Sequence, residues 1–437
     1  MIERLLVFVY TILYSVALLI LLPYEYLKRP KDLRKRWLKE RLGFLPLDSN
    51  PPISGFKIWI HSVSVGEVIA SVPFIHEILK TFPSSEIILT TVTDTGQKIA
   101  AEKLSGSAKI LYLPFDLPFS IKRFIKTIRP SLYISIETEI WPNLFRILKG
   151  QGIPVLIMNG RISDKSFRGY RRIRFFIKRI FDYVDLFCMQ EEVYKDRIKA
   201  LGVPQERILV TGSFKFDIKI NDYRGEWVRY FRDPIILAGS THDKEEEIIL
   251  DSFERLKEEF GGMTLIIAPR HPERFSEVEG ILKKRGMNYI KRSEMEMSDI
   301  DERINSFSVI LIDVLGELAS LYSICDIAII GGSFSGRGGH NPLEPAFWGK
   351  PIVCGNDMSN FPYINEFYRD GAAINTSRHD LYNDLKVLLL SEDKRINIGK
   401  KAKAIYENKS GAIGRSIALL KGYLKLPQFI TKEKNPS

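Results

Sequence analysis

Two patterns of apolar positions divide this chain. From residue 56 onward, short continuous apolar runs alternate with longer amphipathic segments. The runs Phe56–His61, Glu86–Val92, Lys109–Leu113, Leu132–Ile136, Pro154–Met158, Leu186–Met189 and Ile208–Thr211 are rich in β-branched residues. Runs of this kind predict parallel strands buried on both faces. Spacers of roughly 20 residues suit crossover helices. A less apolar stretch, Phe216–Asp233, ends at Pro234, and the alternation restarts at Ile235–Ala238, Thr264–Ala268, Ser308–Ile312, Ile327–Ile330, Pro351–Cys354 and Ala372–Ile374. The pattern predicts an α/β protein with two Rossmann-like domains, 45–216 and 234–425, a linker at 217–233 and a polar tail at 426–437. A cleft faced by two such domains is the expected ligand site, because strand C-termini and helix N-termini converge there.

The other pattern precedes it. Leu5–Leu22 is an uncharged apolar run of 18 residues. As helix it measures about 27 Å, close to the thickness of a hydrocarbon core. A cleaved signal peptide would need a basic start and a small-residue cleavage site, but Glu3 cancels Arg4 and the run ends in Leu21-Leu22-Pro23. A buried soluble helix is the other alternative. Eight basic residues follow between Lys28 and Arg41, opposed by Glu25, Asp32 and Glu40. Residues 1–44 thus read as a membrane anchor with a basic juxtamembrane segment, and the positive-inside rule puts the remainder in the cytoplasm. Length does not decide whether the helix spans the bilayer or enters one leaflet.

Composition narrows the class. The chain has 437 residues, of which 45% are apolar and 27% charged. That supports large cores and excludes disorder, a collagen and a polytopic membrane protein. Cys188, Cys325 and Cys354 lie far apart, so neither a disulfide framework nor a zinc site is expected, and a reducing compartment fits. The net charge of +11 is concentrated in two places. One is the juxtamembrane segment. The other is Arg161–Arg179, where eight basic residues face Asp164 alone. Both suit an anionic partner: phospholipid, phosphorylated glycolipid or nucleic acid.

Candidate chemistry sits after the strands. Glu67, in His61–Glu67, opens a helix and suits a general base; Ser64 and Glu67 equally make a capping box. Glu137 and Glu139 share one face of an extended end before Trp141-Pro142, pointing to the crevice, or one of them merely caps the next helix or pairs with a basic residue. Lys215, in Gly212–Asp217, can hold an anion or be a solvated surface lysine. Arg270 is stiffened by Pro269 and Pro272 as a cation for phosphate, or makes a turn salt bridge. The turn Leu315, Gly316, Glu317 and the stretch Gly331–Ala346 offer backbone N–H groups, and Glu344 can accept from vicinal ribose hydroxyls. A plain strand–helix turn and a flexible surface loop are the respective alternatives. Asp299-Ile300-Asp301 has the form of a metal–sugar site but follows no strand, so no metal is expected.

The motifs SVGE at 64–67, ETEIWPN at 137–143, NGRISDKSFRGYRR at 159–172, GSFKFD at 212–217, APRHPER at 268–274, LGEL at 315–318 and GGSF…GGHNPLEP at 331–345 together resemble the 3-deoxy-D-manno-octulosonic acid (Kdo) transferases. The resemblance implies the glycosyltransferase B-type fold, with an acceptor-side first domain and a CMP-Kdo-binding second one. It implies transfer of Kdo from CMP-Kdo to the lipid A precursor, with inversion, without a cofactor or metal, at the cytoplasmic face of the inner membrane in lipopolysaccharide synthesis. By motif, Glu67 would be the base and Glu137 and Lys215 its supporting groups. Pro269, Arg270, Leu315, Gly316, Glu317, Asn341, Pro342, Leu343 and Glu344 would bind CMP. The chain departs from the family loop at Val314 and Leu315, and from the basic motif at Ile162 and Gly169. The stretch Arg161–Arg179, with Phe167, Tyr170, Phe175 and Phe176, suits acceptor phosphates and an anionic phospholipid surface. Rival readings are a membrane-surface transferase using a UDP-sugar and a tethered polyanion binder; no nucleic-acid motif supports the latter.

Overall fold

The computed structural model describes residues 2–45, 55–218, 220, 234–295 and 307–424. Most of the linker 217–233, the pair Asp299 and Asp301, and the tail 426–437 lie outside the described residues.

The chain forms two units, residues 1–217 with 410–437, and residues 218–409. The first holds strands β1 (Lys57–His61), β2 (Glu86–Thr91), β3 (Lys109–Tyr112), β4 (Leu132–Ile136), β5 (Val155–Gly160), β6 (Leu186–Met189) and β7 (Ile208–Val210). They pair in parallel in the order β3-β2-β1-β4-β5-β6-β7. The order reverses between β1 and β4, which makes the ends of these two strands the switch point where open sheets bind ligands. Both faces are covered, and residues 58–60 and 132–134 are almost wholly buried. This is why the strands read as unbroken apolar runs.

The second unit repeats the plan. Strands β8 (Ile235–Thr241), β9 (Thr264–Pro269), β10 (Tyr289–Lys291), β11 (Val309–Leu311), β12 (Ile327–Ile330), β13 (Ile352–Cys354) and β14 (Ala373–Asn375) pair in the order β10-β11-β9-β8-β12-β13-β14. Its switch point lies between β8 and β12. The α/β class and the two Rossmann-like units agree with the sequence. Edge strand β10 was not expected. It is three half-buried residues within Lys- and Arg-rich chain, without the apolar run that marks a central strand.

The domain boundary at 425 needs correction. The helix Ala412–Leu424 returns to the first unit. Its Ile413, Ile417, Leu420 and Leu424 join the core beneath α3 (Val65–Thr81). Asp217 fixes the return by accepting the backbone N–H groups of Gly411 and Ile413. An apolar stripe in this helix does not tell which sheet it covers.

The N-terminal helix α1 (Ile2–Lys28) and α2 (Lys31–Arg41) also belong to the first unit. One stripe of α1 packs on the sheet's helical layer: Val7 is in its core, while Tyr14, Leu18, Leu22 and Tyr26 lie against Trp37, Tyr112, Phe115 and Leu117. Polar bonds pin the same stripe. Tyr10 donates to Asp116 at 2.9 Å, the Asp116 N–H donates to Tyr14 at 3.3 Å, and Asn143 donates to Thr11 at 2.9 Å.

Candidate active site

On the first unit the candidate groups gather at the C-terminal ends of β1, β4 and β5. After β1, Ser64 caps α3, and Glu67 in the first turn completes the capping box. The Val63 N–H donates to Glu67 Oε2 at 2.6 Å and Ser64 Oγ donates to Oε1 at 3.0 Å. The capping box and the proposed base are therefore the same residue in one geometry. Glu67 is only 8% exposed. Burial lifts its carboxyl above the ordinary range, and the bonds from Val63 and Ser64 pull the other way. The helix N-terminus alone suggested a stabilised carboxylate; desolvation outweighs it.

Glu137 ends β4 in the left-handed region at φ 59, a conformation that costs a β-carbon residue about 1 kcal/mol or more. The Glu137 N–H is held by the Met158 carbonyl at 2.9 Å, so the kink turns the side chain off the strand. Arg161 Nε lies 3.4 Å from its Oε2. Burial raises Glu137, while Arg161 and then Lys215 lower it. Glu139 has no such cations. Burial, then the charges of Glu67 and Glu137, push its carboxyl up to about 7. Three carboxylates thus share one site, and the share of Glu139 that is protonated near neutral pH relieves the repulsion among them.

Lys215 is exposed on the short 3-10 turn Phe214–Phe216, between two buried phenylalanines. Asn159, fully buried at the end of β5, accepts from the Phe214 N–H at 3.0 Å. Asn159 adopts φ 54, and it positions the lysine turn. Sequence reasoning did not single it out, although an asparagine between a strand and a glycine is the usual sign of a left-handed residue.

On the second unit a cavity of about 400 Å³ lies at the β8/β12 switch point. Arg270, Gly316, Asn341 and Glu344 line it with Ser240, Tyr322, His340 and Phe361. Four of the nine residues expected at a nucleotide site therefore meet in one pocket. The other five do not offer side chains there. Pro269 is the buried last residue of β9, Leu315 is 71% exposed and Leu343 is 1% exposed in the core. Pro342 starts the next short helix, and Glu317 is held by Arg292 through two bonds of 2.9 and 3.1 Å.

Close packing builds the pocket floor. A Cβ on Gly331 would meet the Ser240 carbonyl at 2.2 Å, so only glycine lets β8 and β12 end side by side. The fully buried Glu245 accepts the N–H groups of His242, Gly332 and Phe334 at 2.7–2.8 Å. This carboxylate shapes the glycine loop. Glu246 ties up Arg274 at 2.6 Å. No described carboxylate lies within ion-pairing distance of Arg270, which leaves it as the cation of the pocket. Burial pushes Glu344 up to about 7, against the Asn341 bond and the Arg270 charge. His242 and His340 meet Nε2 to Nε2 at 2.8 Å, so one donates to the other. Burial, then His242 and Arg270, hold His340 near 4, so the pair is neutral. Glu245 and the histidine pair were missed because their partners come from other strands' loops. Among the described residues no cluster of three or more His, Cys, Asp or Glu is placed to hold a metal ion.

Residues 36–218 match the family model described as 3-deoxy-D-manno-octulosonic-acid transferase (kdotransferase). The 3-deoxy-D-manno-octulosonic acid transferase of Haemophilus influenzae is 37% identical over 397 residues, 89% of this chain and 91% of that protein. The transferase of the same name from Rickettsia typhi is 32% identical, over 84% of this chain and 78% of its own. Among solved structures, a glycosyltransferase from Rickettsia africae aligns at TM-score 0.51 and 13% identity, over 85% of this chain and 99% of that one; at that identity the likeness is one of fold.

Proposed function

The chain belongs to the Kdo transferase family, and on that premise we propose that it moves Kdo from CMP-Kdo to the lipid A precursor with inversion at the anomeric carbon. As a family member it is a glycosyltransferase; donor, acceptor and stereochemistry are our reading. In the proposed reaction the acceptor hydroxyl oxygen bonds to the anomeric carbon. The bond from that carbon to the phosphate oxygen breaks, CMP leaves with the electron pair, and Glu67 takes the hydroxyl proton. The neighbouring charges of Glu137 and Glu139 strengthen Glu67 as a base. Arg161 and Lys215 oppose the effect of burial on Glu137 and favour its carboxylate beside an oxocarbenium-like centre. Arg270 meets the monophosphate, and Glu344 with Asn341 meets the ribose.

The observation that carries this reading is the convergence of Arg270, Gly316, Asn341 and Glu344 in one cavity. A monophosphate needs one cation and backbone donors, not a divalent ion. Activity is therefore expected to survive EDTA, and loss on chelation with recovery in Mg²⁺ would put metal back in the mechanism. The direct test incubates the protein with CMP-Kdo and lipid A precursor and reads product masses. Adducts of Kdo are expected; turnover with a UDP-hexose and none with CMP-Kdo would sink the proposal. We place the enzyme at the cytoplasmic face of the inner membrane, on the support of the apolar helix α1 and the basic residues after it.

A further inference from the structure

Helix α1 has two unlike faces. One is fastened to the first unit from Val7 to Tyr26, a length of about 28 Å along the axis. A hydrocarbon core is about 30 Å thick. The globular unit therefore runs beside the helix for as far as a crossing would last. A perpendicular crossing would carry Asp116, Asn143 and the exposed lysines of α2 into hydrocarbon, where charged and polar groups are strongly disfavoured. Lifting α1 away instead would strip Asp116 of Tyr10 and Asn143 of Thr11.

The opposite face is bare. Phe8, Ile12, Leu13, Leu19, Ile20 and Leu27 are 47–72% exposed. Half of the exposed large apolar side chains among the described residues lie on this one helix. The helix Arg174–Phe181 adjoins it through Tyr10 and Phe176, whose ring centroids are 6.2 Å apart, and the helix Asp164–Arg172 packs against that helix in turn. There Phe175 is 64% exposed, among exposed Arg171, Arg172, Arg174 and Lys178. An apolar stripe bordered by cations matches a leaflet of anionic phospholipid and not a second protein, whose surface would leave the cations unpaired.

We propose that α1 does not span the membrane but lies in its plane, sunk into a single leaflet along the bare face and fastened to the first unit along the other. The inference is independent of which sugar is transferred, so it stands or falls separately from the donor and acceptor.

The test uses the full chain in vesicles of phosphatidylethanolamine and phosphatidylglycerol. The three native cysteines are buried, so a bimane label goes to one added thiol: Phe8→Cys, Leu13→Cys or Ile20→Cys. Nitroxide quenchers are then placed at shallow or deep positions of the acyl chain. A helix in the plane gives the same loss of fluorescence at all three sites, and a larger loss with the shallow quencher. A spanning helix gives the deep quencher its strongest effect at Leu13→Cys and a weaker one at the other two. That profile, or no quenching at any site, overturns the proposal. A second reading is independent of label depth. In right-side-out membrane vesicles Glu3→Cys should resist an impermeant maleimide until the vesicles are opened; labelling from outside would mean that α1 crosses.

Discussion

At Glu67, burial and hydrogen bonding pull the carboxyl in opposite directions, and burial prevails. A base lifted above the ordinary carboxylate range and not locked to a cation takes a proton more readily. Glu67→Gln keeps the shape and, through its one amide oxygen, the Val63 contact, with the amide NH2 donating to Ser64 Oγ instead, but it cannot take a proton. Its kcat should fall by roughly 10²–10⁴-fold with CMP affinity unchanged; turnover near that of the wild type would reject the role. Glu344 supplies the second test. Its carboxyl, held near 7 by burial, must ionise to accept from ribose hydroxyls. CMP should bind tighter from pH 6 to 8, and calorimetry on Glu344→Gln should show that part of the pH dependence gone. Arg270→Ala should weaken CMP by about 1.5–3 kcal/mol at every pH. The stability effect runs oppositely. Folded Glu344 holds its proton above the unfolded value of about 4.3, so its contribution to the unliganded protein is full below that pH. It is lost as pH rises through about 7. Glu67, Glu137, Arg270 and Glu344 were legible in sequence because each lies in the loop or first helical turn that follows an apolar run, Glu344 at the end of a glycine-rich loop. Asn159 and Glu245 were not, because each works on a backbone N–H far away in the chain: Asn159 on Phe214, and Glu245 on Gly332 and Phe334.

Strands carried the fold because burial on both faces writes itself as β-branched runs. β1, β4 and β6 appear with nearly the bounds that hydrophobicity gave, and their side chains are buried throughout or almost so. Helices say less. Ala412–Leu424 has an apolar stripe but nothing in it names its sheet. Only folding reveals that Asp217 holds its start and that Leu420 lies beneath α3. That assignment has a measurable consequence. Leu420 is fully buried, and Leu420→Ala should cost about 2–5 kcal/mol, mostly as an unfilled cavity. Hydrogen exchange should then quicken in α3 and β1, while β8 and β9 keep their protection. Faster exchange confined to residues 234–409 would return the helix to the second unit.

For the whole molecule, α1 serves as part of the first unit as well as an anchor, and the two roles predict different things. A detachable anchor could be removed without consequence, and a chain starting near Lys31 would fold, bind anionic vesicles only at low salt and stay active on dispersed acceptor. The packing of α1 argues otherwise. Without it, Trp37, Phe115 and Leu117 lose the cover of Tyr14, Leu18 and Leu22. Asp116, 1% exposed, loses the Tyr10 hydroxyl, and Asn143 loses Thr11. Asp116 keeps the Asn143 and Leu144 N–H groups, so each lost side-chain bond costs about 0.5–1.5 kcal/mol, and each uncovered aliphatic side chain adds roughly 1.5–3 kcal/mol. The shortened chain should therefore unfold at lower denaturant in its first unit and aggregate through the uncovered patch, while the nucleotide cavity of the second unit still binds CMP. The full chain should behave differently in the membrane fraction. High salt screens the cations of α2 within about one Debye length but leaves the apolar face in lipid, so detergent and not salt should release it. Release of the full chain by salt alone would show that the bare face of α1 is not in lipid. A shortened chain as stable as the parent would show that the Asp116 and Asn143 contacts contribute nothing. The first result removes the anchor and leaves the fold intact; the second frees α1 from the unit and makes a crossing helix tenable again.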